Sequence, residues 1–298
     1  MFTTQYILQQ VFNGVVFGAM YALLALGMTI IYGILRLIHF AHGALITVGA
    51  FCFYVCFARL GIPFAGAIVN VIGFGALMGA ILDTIAYKKV VGGPEVSMLI
   101  TSLGFYIFIE NLIKLIASPQ PYAFHPPAFF EKLYKKGLVT FRTIDLFIVA
   151  SSIAIMLVFN LFVKKTRMGK AMRATSESGE AARIVGINIG RVISFSFIVA
   201  SAIAAVTGFM WGAKYGQISY SMGFMSGVKA FVAIVIGGVG SIPGAMFGGF
   251  ILGILEMFSV AFLPPGYAGY RDGIVFFILI IILIVRPSGL LGQKEAES

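Results

Sequence analysis

A chain of 298 residues that is 60% hydrophobic and only 11% charged is not a soluble globular domain, in which about a quarter of residues carry charge. Its mean hydropathy of +1.01 marks a polytopic membrane protein, so the net charge of +10 is read through the positive-inside rule before any nucleic acid is invoked. No basic groove or RNA-binding signature accompanies that charge, and the two cysteines, Cys52 and Cys56, lie four apart in an apolar run as core or lipid-facing thiols, neither a disulfide framework nor a metal site.

Apolar runs fall at 7–35, 38–57, 63–85, 97–116, 144–163, 192–211, 228–239, 244–262 and 272–285. Crossing the hydrocarbon takes roughly 20 residues, so two of these are short, and the reading is an all-α polytopic helical membrane protein with about eight to nine transmembrane segments. The first six residues carry no Lys or Arg and the run after them is too long for a signal h-region, so the N-terminus is expected to be uncleaved. The connection 117–143 holds Pro119, Pro121, Pro126 and Pro127, too many prolines for a continuous helix. Glycines recur at GxxxG spacing (Gly14 and Gly18, Gly75 and Gly79, Gly208 and Gly212, Gly244 and Gly248, Gly249 and Gly253), which lines helix faces with residues small enough for backbones to touch. The most irregular stretch is IVIGGVGSIPGAMFGG (234–249), where Gly237, Gly238, Gly240 and Pro243 cut one run and another starts at once. Such a segment reads as broken or re-entrant, or as a hairpin, and its backbone must be buried in protein or line a cavity.

The segment 164–191, KKTRMGKAMRATSESGEAARIVGINIGR, holds seven of the 21 basic residues. Placing it in the cytosol puts twelve basic residues inside and seven outside, with Lys114 and Lys229 in or at spans, which predicts an outside N-terminus and an inside C-terminus. Within it Ser178 is positioned to cap a helix over 179–185, Glu180 sits in the first turn, and Gly186 follows as a stop. Ala181, Ile184 and Val185 fall on one face, a small amphipathic helix offered to a cytosolic partner.

Ionisable residues at bilayer depth are costly and tend to face the bundle interior. Glu110 and Lys114 are spaced for an i,i+4 pair; Lys229 and Glu256 lie in consecutive runs where they can meet; Arg36, His39 and His42 straddle the turn between the first two runs; and Asp83 is close enough to a span end to reach water. His39 and His42 lack a third metal ligand nearby. No GxxxxGK[ST] occurs, so this chain has no such route to ATP hydrolysis, and no nucleophile elbow or paired catalytic carboxylates are present.

The stretch 13–51 carries N-G, GAMYALLALG and FAHG; 237–256 reads GGVGSIPGAMFGGFILGILE; 286–292 reads RPSGLLG; and Glu180, Ala181, Ala182 and Gly186 match the E-A-A, three residues, G opening of a cytoplasmic loop, although its usual later Leu-Pro is missing. Together these resemble the permease family of branched-chain amino acid ABC transporters, the shorter permease of the pair, from end to end of the chain. The resemblance implies a heterodimer with a second permease, two ATP-binding subunits, a periplasmic substrate-binding protein, a bacterial inner-membrane location and no cofactor. It makes Glu180, Ala181, Ala182, Arg183 and Gly186 the ATPase-coupling residues within a single transmembrane domain, 1–298, whose coupling loop is 164–191. Asn13, Gly237, Gly238, Gly240 and Glu256 are the candidate translocation path, where bulk at Gly240 is expected to block transport and Glu256→Gln to be tolerated. A urea or sugar permease of the same superfamily is the near alternative. A secondary transporter would call for two related halves or a row of titratable residues along one path, and an intramembrane enzyme for a catalytic constellation.

Overall fold

The computed structural model describes residues 3–37, 39–264, 266–286 and 289–291. Each apolar run is a helix: α1 (Thr4–Leu35), α2 (Ala41–Tyr54), α3 (Phe64–Ile81), α4 (Glu95–Ile116) and α5 (Thr143–Lys165), then, after two short polar helices α6 (Arg167–Glu177) and α7 (Gly179–Ile184), α8 (Ile189–Tyr215), α9 (Met222–Gly237), α10 (Ile242–Phe262) and α11 (Arg271–Val285). Seven helices among the described residues are long and apolar enough to cross a membrane, whereas α9 and α11 have 16 and 15 residues. The all-α polytopic reading therefore holds. Two helices run on into widened π turns, α2 through Val55–Arg59 and α3 through Leu82–Tyr87.

Helix α1 is the axis of the bundle. Its 32 residues span about 48 Å at 1.5 Å each, and the stretch from Val16 to Ile31 is buried throughout, with α5, α8, α9 and α10 packed around it. The approach of α10 is set by small residues, since a Cβ on Gly253 would lie 2.2 Å from the Gly18 nitrogen and one on Gly249 would lie 2.3 Å from the Ala22 nitrogen. Backbones this close gain dispersion contact where lipid supplies no hydrophobic drive between helices. The same device seats α8 on α2 and α3, through Gly208 on Ile46 and Gly79 on Phe197.

The proline-rich connection is not helical throughout, as expected. It contributes β1 (Tyr122–Ala123), which pairs antiparallel with β4 (Gln217–Ile218), and a hairpin of β2 (Leu133–Lys136) and β3 (Val139–Arg142). Because the 23 residues of α5 separate β3 from α6, about 34 Å at 1.5 Å per residue, the hairpin and the pair α6 and α7 lie at opposite ends of the bundle.

Candidate functional site

The polar segment folds as its local signals dictate. Thr166 caps α6 by accepting the Gly169 N–H (3.0 Å), and Ser178 caps α7 by accepting the Ala181 N–H (3.2 Å). At the far end of α7 the Gly186 N–H donates to Arg183 (3.0 Å) and the Ile187 N–H to Ala182 (3.0 Å), with Gly186 at φ +84°. This is the double closure that a left-handed C′ glycine permits. Ala182 turns inward and is buried, whereas Glu180, Ala181 and Arg183 are exposed and Ile184 and Val185 are 86% and 74% exposed. An apolar stripe therefore projects from the helix. Its mounting is firm, since α6 packs against α1, α5, α7 and α8, and Arg36 at the end of α1 donates to the Ser176 carbonyl (3.4 Å).

Inside the bundle, four helices share one ionic network. Lys229 on α9 contacts Glu256 on α10 at 2.7 Å and Asp272 on α11 at 2.8 Å; Arg271 lies 3.4 Å from Glu256 and 3.5 Å from Asp272. The Tyr21 hydroxyl on α1 donates to the other Glu256 oxygen at 2.5 Å, and the Lys229 ammonium lies 5.8 Å from the Tyr21 ring centre. Two cations and two anions cancel, which is what makes charges tolerable where Glu256 is wholly buried and Lys229 nearly so. The meeting of Lys229 and Glu256 was legible from their positions in consecutive runs. Tyr21 was not, because a tyrosine in an apolar run carries no signal of its partner. Arg271 and Asp272, at the edge of a short run, carried no signal of their partners either.

The glycine break is a tight turn between antiparallel α9 and α10. Gly237 lies against Gly244, where a Cβ would come 1.9 Å from the carbonyl oxygen, and Gly238 and Gly240 take φ +111° and +83°. Its backbone groups find partners in protein: Ser241 caps α10 by accepting the Gly244 N–H (3.1 Å), and the Leu290 and Leu291 N–H groups donate to the carbonyls of Ile236 and Gly237 (both 2.9 Å). Leu290 and Leu291 thus complete the end of α9, and Pro287, Ser288 and Gly292 of the same motif fall outside the described residues. Gly240 has no atom within 4 Å of where a Cβ would sit, and its positive φ strains any side chain placed there. The candidate path residues do not converge. Glu256 is fifteen residues along α10 from Ser241 (256 − 241), about 22 Å, and half-buried Asn13 accepts from Gln9 (3.3 Å) in the first half of α1.

A family model described as "Branched-chain amino acid transport system / permease component" matches residues 10–284. The chain belongs to this family. It is 38% identical, over 98% of its length and 97% of theirs, to the high-affinity branched-chain amino acid transport system permease protein LivH of Escherichia coli K12, and 33% identical, over 97% of each, to the permease protein BraD of Pseudomonas aeruginosa. A solved structure, PsaBC from Streptococcus pneumoniae in complex with Fab, superposes with a TM-score of 0.53 at 16% identity, covering 93% of this chain and 91% of that one, which shows a shared fold.

Other polar groups of this permease contact neighbouring elements. Asp83 does not reach water: the π turn buries it against Ser194, whose hydroxyl donates to it, with Lys88 at 3.4 Å. Lys114 turns from Glu110 to lie 5.3 Å from the Tyr220 ring centre, so the expected i,i+4 pair is replaced by a cation–π contact. His39 shares a 2.6 Å hydrogen bond with the Tyr87 hydroxyl, and both His39 and His42 are fully buried in packing at the start of α2. Among the described residues no group of three or more His, Cys, Asp or Glu side chains is placed to hold a metal ion.

Proposed function

We propose that this permease is the shorter member of an unlike permease pair in a binding-protein-dependent ABC importer, carrying branched-chain or related hydrophobic amino acids inward across the bacterial inner membrane. It forms one transmembrane domain and hydrolyses no ATP itself; two partner subunits supply that energy through the coupling loop 164–191, and a soluble protein on the outer side delivers the substrate. The observation that carries the reading is the apolar stripe of α7, Ala181, Ile184 and Val185, exposed on a helix braced to the bundle in a chain of this family. An exposed stripe on a short capped helix fits a groove in a partner, with Glu180, Arg183 and the Gly186 stop setting its rim and end. The proposed path runs past Asn13, the turn at Gly237, Gly238 and Gly240, and Glu256 at separate heights, and the neutralised Glu256 leaves only weak contacts, which suits a zwitterion that must be released.

The test is reconstitution of the four subunit types in vesicles. Leucine should accumulate only with ATP and the binding protein, and Ala181→Asp should lower substrate-stimulated ATP hydrolysis by about tenfold or more, the loss expected when about 1.4 kcal/mol or more of packing is removed from the joint. Undiminished coupling in that variant excludes α7 as the joint; accumulation of galactose or urea in place of leucine moves the substrate assignment.

A further inference from the structure

The hairpin at the end of the bundle opposite α7 has one closed edge and one bare edge. Its strands meet in the register Leu133 with Arg142, Tyr134 with Phe141, Lys135 with Thr140 and Lys136 with Val139, around Gly137 at φ +60°. In an antiparallel ladder closed by a two-residue loop, residues alternate between bonding across and turning their N–H and C=O outward, so Thr140 faces away from β2. The Gln9 amide takes both groups, accepting the Thr140 N–H and donating to its carbonyl at 2.9 Å each. Strand β3 is also fastened at its end, where Asp145 accepts the Arg142 N–H (2.8 Å), Arg142 donates to the Lys214 carbonyl (2.8 Å) and Lys214 pairs with Asp145 (2.6 Å). The hairpin is thereby tied to α1, α5 and α8.

The other edge is uncovered. By the same alternation Lys135 turns its backbone outward, all four residues of β2 are exposed, and Leu133, Tyr134 and Leu138 add exposed apolar area. Lys132, Lys135 and Lys136 have no carboxylate within ion-pair distance among the described residues, while Glu131, the one acidic residue of 117–143, lies 3.9 Å from His125. With Arg142 the segment carries +4 − 1 = +3, on the side where basic residues oppose the positive-inside bias in the orientation proposed above.

We infer that the β2 edge with Lys132, Lys135 and Lys136 seats an acidic face of the soluble substrate-binding partner; this rests on the importer reading. Long-range attraction speeds the encounter, the apolar side chains and bare edge fix it, and the ties of β3 pass the contact to α1, α5 and α8. Lysines on a free strand edge also discourage edge-to-edge aggregation, a role that glutamates fill equally well, so charge reversal separates the two.

The experiment uses the complete transporter in neutral phosphatidylcholine vesicles, with its binding protein titrated and ATP hydrolysis read. Reversal of all three lysines to Glu should raise the half-saturating concentration of binding protein by about tenfold or more at low salt, and the gap should narrow near 1 M salt, where the Debye length falls to about 3 Å. Replacement of all three by Arg should keep the wild-type titration. The inference is overturned if the Glu variant saturates like wild type, if Glu and Arg variants are equally impaired, if salt does not move wild type, or if a difference arises only in vesicles containing anionic phosphatidylglycerol. Leucine uptake by the unmodified complex is scored separately: its absence removes the importer reading, whereas normal uptake beside an indifferent Glu variant removes only the docking surface.

Discussion

Neutralising Glu256 probes whether the buried network holds the bundle together. With Glu256→Gln, two cations, Lys229 and Arg271, are left with one carboxylate, Asp272, and the cluster moves from zero to +1. An uncompensated charge created by breaking a buried pair costs about 3–5 kcal/mol, and a unit pair 4 Å apart at an effective dielectric of 20 gives about 4 kcal/mol. The expected loss is at the lower end, about 3 kcal/mol, for three reasons. The glutamine still accepts from Tyr21, Asp272 stays 2.8 Å from Lys229, and the Arg271 side chain is 35% exposed and gains water. The substitution is thus less innocuous than its similar shape suggests. Lys229→Met should cost a comparable amount by leaving Glu256 and Asp272 with Arg271 alone. Made together, the two changes restore neutrality and leave Arg271 with Asp272, so the double variant should be more stable than the sum of the singles by about 1–3 kcal/mol. Equilibrium unfolding of the purified protein in mixed micelles measures all three variants. Additivity within about 0.5 kcal/mol would refute the reasoning, because the two side chains would then act independently despite their 2.7 Å contact.

The two glycines of the turn should behave differently. Gly237→Leu drives atoms into the Gly244 backbone and should abolish folded protein on gel filtration, whereas Gly240→Ala has room and should cost only about 1–2 kcal/mol for its left-handed backbone; equal losses would show that packing against α10 is not the constraint. In a background lacking Cys52 and Cys56, a cysteine at exposed Ala123 should react with a membrane-impermeant thiol reagent in cells with a permeabilised outer membrane, and one at exposed Arg183 should not. The reverse pattern would overturn the orientation.

The amino-acid sequence by itself determined the apolar helices found among the described residues, the caps of α7 and the faces on which helices touch. Those features follow from hydropathy over twenty residues, from Ser178 and Gly186 acting within a turn of themselves, and from glycines four apart on one face. Only the tertiary structure decided where polar groups end. Tyr21 finds Glu256 235 residues away, Gln9 closes the edge at Thr140 across 131 residues, and Leu290 and Leu291 return to finish α9. Each pairing depends on the rotation and height of a helix relative to its neighbour, quantities fixed when backbones meet at Gly18, Gly249 and Gly253 and carried by no local pattern. The same holds for the misjudged groups. Asp83 has water nearby along its own helix, but a π turn rotates it onto Ser194 of α8, and Lys114 meets a better partner in Tyr220, which a distant part of the chain brings to it. Local sequence specifies which groups need a partner; the packing of helices against one another decides which partner each one gets.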